Sequence, residues 1–65
     1  MLKDNLGNKI NIGSIVLKQW GNKEKRFKVE NISVTKDTNI LYLMLLDNPD
    51  GGLIMADSKE VRVLE

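Results

Sequence analysis

The stretch Ile40-Leu41-Tyr42-Leu43-Met44-Leu45-Leu46 places seven apolar residues in a row, and its reading decides the fold. Leu and Met taken singly favour helix. The run lies between two turn-like segments, Lys36-Asp37-Thr38-Asn39 before it and Asp47-Asn48-Pro49 after it. Seven residues so confined are too few for a good helix and are a normal strand length. As a strand it has two faces, with Ile40, Tyr42, Met44 and Leu46 on one and Leu41, Leu43 and Leu45 on the other. A small sheet protein has one interior, so one apolar face is left over. It must be bent into the core, covered by the segment Met1–Ile10, or met by a partner.

The rest of the chain reads as strands packed around this one. Asp4-Asn5-Leu6-Gly7 has Asp at the first and Gly at the last position of a type I turn, and should reverse Met1–Lys3 into Lys9-Ile10. A second break follows at Gly13, and Ser14–Trp20 reads as a strand led by Ile15 and Val16. Gly21-Asn22-Lys23-Glu24 is a loop by composition. Lys25–Ser33 alternates, with Phe27 and Val29 on one face and Arg26, Lys28 and Glu30 on the other. Ile32 then falls on the polar face, and a bulge near Glu30-Asn31 would return it to the core.

Beyond the apolar run, Asn48-Pro49-Asp50-Gly51 is a strong turn, with Pro at the second position. Leu53–Ala56 is a short strand, Asp57-Ser58-Lys59-Glu60 suits a single 3₁₀ turn, and Val61–Leu64 is a last strand. Five short strands, a lead hairpin and a 3₁₀ turn before the last strand predict one all-β domain over residues 1–65, a five-stranded SH3-like barrel. Closure would remove edge strands. An OB-like barrel is the alternative, but it needs a longer chain and a helix between strands.

Composition narrows the function. There are no cysteines and no histidines among the 65 residues. Disulfide staples are absent, and the usual bases, nucleophiles and structural zinc ligands are missing with them. Ser14, Ser33 and Ser58 have no partner base. Asp47, Asp50 and Asp57 could approach one another, but each sits in a predicted turn, where Asp is ordinary. The segment Asp47–Gly51 lacks the alternating ligands and distal Glu of a calcium loop. The expectation is a non-catalytic protein with no cofactor, no metal and no small-molecule substrate. No apolar run reaches the ~20 residues of a membrane span, and Met1-Leu2-Lys3-Asp4 carries no signal-peptide core, so a cytoplasmic location is expected.

Net charge is only +1, which argues against strong nonspecific binding of polyanions. The charges are unevenly placed. Residues 1–36 hold eight bases and three acids, net +5, and residues 37–65 hold two bases and six acids, net −4. Lys18, Lys23, Lys25, Arg26 and Lys28 cluster in the first part, with Trp20 and Phe27 among them. An exposed Trp20 amid lysines would make a stacking platform for single-stranded nucleic acid; a buried one would cap a barrel end.

The opening segment, Leu2-Lys3-Asp4, Gly7, Lys9-Ile10, Gly13 and Ile15-Val16, resembles the start of the SH3-like domain in YopX-like phage proteins. That pattern runs Leu-Lys-Asp, two residues, Gly, a Lys, Ile, then Gly-Asp and an apolar pair. The resemblance covers residues 2–17. Ser14 stands where the pattern has Asp, and the aromatic-rich N-terminal part of those proteins is absent. The resemblance implies a barrel fold and a phage or prophage setting, and carries over no catalytic residue.

The leading expectation is a small binding module that recognises a protein or associates with itself as a homodimer. Its candidate interface is Trp20, Leu41, Tyr42, Leu43, Met44 and Leu45. The alternative is a nucleic-acid-binding barrel that uses Lys18, Trp20, Lys23, Lys25, Arg26 and Lys28.

Overall fold

The computed structural model describes residues 2–64. Five antiparallel strands form one sheet: β1 (Ile15–Trp20), β2 (Lys23–Val34), β3 (Asn39–Leu45), β4 (Leu53–Asp57) and β5 (Val61–Val63). Their order across the sheet is β4-β3-β2-β1-β5, the order of an SH3-like sheet. Two 3₁₀ turns, Pro49–Gly51 and Ser58–Glu60, precede β4 and β5. The expected lead strand is a single bridge, Lys3 to Lys9, and Met1 lies outside the described residues.

Local chemistry explains most boundaries. Gly7 N–H donates to the Asp4 carbonyl at 3.2 Å, closing the first turn, and Gly7 has a φ of 85°, open to glycine at little cost. The predicted loop Gly21–Glu24 is shorter than expected. Trp20 pairs with Lys23, so only Gly21-Asn22 forms the turn. Gly21 has a φ of 69° and among the described residues no non-glycine residue has a positive φ, which is the signature of a tight II′-type hairpin. The bulge falls where the hydrophobic pattern requires it. Val29 pairs with Leu43 and Asn31 with Tyr42, so Glu30 is the extra residue, and Ile32 returns to the core side opposite Leu41. At the second 3₁₀ turn, the Asp57 carboxylate accepts from Lys59 N–H and the Glu60 carboxylate accepts from Asp57 N–H, a reciprocal cap.

The sheet curls around one cluster drawn from every strand: Val16 from β1, Phe27 and Val29 from β2, Leu41 and Leu43 from β3, Ala56 from β4 and Val61 from β5, with Ile10 from the lead segment. Fully burying each large member contributes about 1.5–3 kcal/mol before the entropy of ordering is counted.

The expected closure does not occur. No pairing joins β4 to β5 among the described residues, and the barrel is open along that seam. The reason lies in the lead hairpin. On the side of β5 away from β1, Val63 N–H donates to Asp4 Oδ2 at 2.7 Å, and the Val61 carbonyl accepts from Asn5 N–H at 3.3 Å. Those groups are thereby satisfied and cannot reach β4. Asp4 is itself buried and also accepts from Leu6 N–H, Asn8 N–H and the Asn8 side-chain amide. Burial alone would raise its carboxyl; the hydrogen bonds outweigh burial and hold it at about 2, against an ordinary 3.8.

Candidate functional site

The register assigns the two faces of β3. Leu41 and Leu43 point into the core and are fully buried, so neither can serve as the contact residue the sequence reading made of it. Leu45 follows them inward and packs against the core. Ile40, Tyr42 and Met44 point the other way, onto the convex face, and are half-buried by neighbours alongside them. The lead hairpin does not meet this face through its backbone. Its hydrogen bonds run to β5, at the far edge of the sheet.

The same register brings β4 into the patch. Tyr42 pairs with Met55 and Met44 with Leu53, which places these side chains side by side on the convex face. Leu53 is 55% exposed and Met55 68% exposed. One cross-strand row reads Ile15, Lys28, Met44 and Leu53, apolar except for the lysine. A contiguous apolar surface thus runs over β3 and β4. Sequence reasoning missed Leu53 and Met55 as surface residues. The signal was present, since Leu53–Ala56 repeats in miniature the two-faced apolar run of β3.

Trp20 belongs to the opposite, concave face, in phase with Val16. Its ring stands edge-on to Phe27, with centroids 5.7 Å apart and an angle of 76°, a favourable aromatic geometry. It is 40% exposed and walls a pocket of about 180 Å³ with Phe27, Leu45, Gly52 and Ile54 at the open end of the sheet. Trp20 therefore caps the core while keeping part of the ring in water. It shares no face with Tyr42 and Met44.

The candidate basic residues are likewise divided. Lys18, Lys23 and Lys25 share the concave side with Trp20, while Arg26 and Lys28 point to the convex side. Three are paired with carboxylates: Lys18 with Glu60 at 3.7 Å, Lys25 with Asp47 at 3.7 Å and Lys28 with Glu30 at 3.6 Å. Lys18 Nζ also lies 5.9 Å from the Trp20 ring centre. Two of these pairs link the basic first part of the chain to the acidic second part, so the charge asymmetry seen along the sequence is partly cancelled in space. Among the described residues, Lys23 and Arg26 make no ion pair. The turn carboxylates do not assemble either, because no three acidic side chains converge among the described residues.

No helix is long and apolar enough to cross a membrane among the described residues. No family model, no curated protein and no solved structure matches the chain.

Proposed function

We propose that the protein is a non-catalytic binding module that recognises a protein partner through the convex apolar surface of β3 and β4. The observation that carries this reading is the row of Ile40, Tyr42, Met44, Leu53 and Met55. A contiguous apolar face of this kind on a single small sheet is a mark of interaction. Met and Leu supply adaptable contact surface, and Tyr42 adds an amphipathic ring. A phage or prophage setting belongs to the same proposal and rests on the resemblance of residues 2–17.

The rival, nucleic-acid binding, draws less support from the geometry. Its basic residues are split between two faces and three of them are ion-paired. The two readings separate in one experiment. The protein is used as bait against a displayed random-peptide library, and in parallel against a labelled single-stranded oligonucleotide over a salt series. The expected result is enrichment of apolar peptides by the wild type, lost with Tyr42→Asp, and persisting at high salt. A steeply salt-dependent oligonucleotide affinity that Lys25→Glu/Arg26→Glu abolishes, with no peptide enriched, would overturn the proposal.

A further inference from the structure

We infer that Met55 is an oxidant-sensitive site: a hydroperoxide converts its exposed thioether to the sulfoxide, and the sulfoxide shuts the convex surface to its partner. The inference rests on the binding surface proposed above and adds how that surface is regulated.

Composition leaves methionine as the target. The chain has no cysteine, so a hydroperoxide finds no thiol, and methionine sulfur is the softest nucleophile it meets. Strand order then decides which methionine is open. β3 lies inside the sheet, between β2 and β4. Met44 therefore has Lys28 on one side and Leu53 on the other, and is half-buried. β4 is the last strand in the order, and Met55 has a cross-strand neighbour, Tyr42, on one side alone. Met55 is 68% exposed, the most open of the large apolar side chains among the described residues.

The step is a two-electron oxygen transfer. A lone pair of the Met55 sulfur attacks the outer oxygen of hydrogen peroxide. The S–O bond forms as the O–O bond breaks, and the departing hydroxide takes a proton and leaves as water. Sulfur is oxidised and the peroxide is reduced. A polar, chiral group then stands where an adaptable apolar one stood. Position gives the change its effect. Met55 lies beside Tyr42 and two residues from Leu53 on the same face, within the apolar row. An apolar partner that covers this row strips water from the sulfoxide oxygen and offers no hydrogen bond in return, which costs affinity. Folding is spared. Met55 takes no part in the core cluster, and the turn that follows β4 is held by Asp57 and Glu60 without it.

The test treats the purified protein with hydrogen peroxide and removes the excess with catalase before binding is read. Fragment-ion mass spectrometry follows Met44 and Met55 separately, and Met55 should oxidise several-fold faster. Capture of a peptide that the untreated protein enriches from the displayed library should then fall about tenfold or more. Melts followed by circular dichroism should not move. Met55→Leu keeps an apolar side chain that peroxide does not oxidise, and should retain capture after treatment. Met55→Gln sets a polar, uncharged side chain of similar length there, and should lose capture without peroxide. Faster oxidation of Met44, full capture by the Met55 sulfoxide, or a Met55→Leu protein that loses capture on treatment each overturns the inference and leaves the binding-module reading standing. An untreated protein that enriches no peptide overturns that reading, and the inference with it.

Discussion

Replacing Asp4 should weaken the whole domain, although the residue lies in a turn at one end of the chain. Its carboxylate accepts four hydrogen bonds, and the one from Val63 N–H at 2.7 Å spans 59 residues of sequence. Asp4→Asn keeps the shape but presents an amide donor where the site supplies donors. A hydrogen bond to a charged group contributes ~1.5–3 kcal/mol, and a buried N–H left without an acceptor costs ~1–3 kcal/mol. Water can reach the turn amides of Leu6 and Asn8, so the main loss is at Val63. A destabilisation of about 2–3 kcal/mol results. For 65 residues the total stability is only about 3–10 kcal/mol. The expected fall in Tm is about 10–20 °C.

Acid should reveal the same contact. The carboxyl sits at about 2 in the folded protein and at 3.8 unfolded. Between those values the unfolded chain binds more protons, so stability rises with pH through this window. The contribution of Asp4 is complete above about pH 5 and is lost as pH falls through 4 toward 2. Thermal melts followed by circular dichroism from pH 2 to 7, on the wild type and on Asp4→Asn, measure both effects. A variant that melts within a few degrees of the wild type at neutral pH and shows the same acid profile would refute the assignment of Asp4 as the tie between the lead hairpin and β5.

Other substitutions separate the two faces of the sheet. Leu43→Ala, in the fully buried core, should lose about 2–5 kcal/mol in denaturant melts, whereas Met55→Ser on the convex face should change stability by no more than about 0.5 kcal/mol. Gly7→Ala has room for the methyl group but must hold a φ of 85°, and should cost about 1 kcal/mol by thermal melt. Asp57→Ala removes the cap on the Ser58–Glu60 turn and should cost about 1 kcal/mol, read in the same melts. If the convex face binds as proposed, raising salt should leave that recognition nearly unchanged, which binding isotherms at two ionic strengths will check.

What could be read from the chain, and what could not, follows the range of the forces involved. Strand and turn positions came largely from local chemistry: Asp4 and Gly7 at the ends of a turn, Pro49 in the turn after the apolar run, the 3₁₀ turn over Asp57–Glu60, and the out-of-phase Ile32 that demanded a bulge near Glu30-Asn31. The two-residue turn at Gly21-Asn22 was missed because Lys23 and Glu24 look like loop residues by composition. Only their pairing with Trp20 and Gln19 makes them strand. The candidate interface was half legible. Alternation sorted β3 into two sets, but which set faces inward depends on its neighbours, and Leu41 and Leu43 proved to be core.

By itself, the sequence determined that this chain forms short strands joined by tight turns, that its core must hold without disulfides or histidine- and cysteine-bound metal, and that one strand carries an apolar face too many. Those are properties of residue type and spacing. Tertiary structure decided the rest: that Leu53 and Met55 lie beside Tyr42 and Met44, that the basic residues fall on both faces, that Asp4 closes β5, and that the barrel stays open with β4 at a bare edge. Each of these depends on register and strand order. Register propagates the inward–outward alternation from one strand to the next, and strand order decides which backbone groups find a partner.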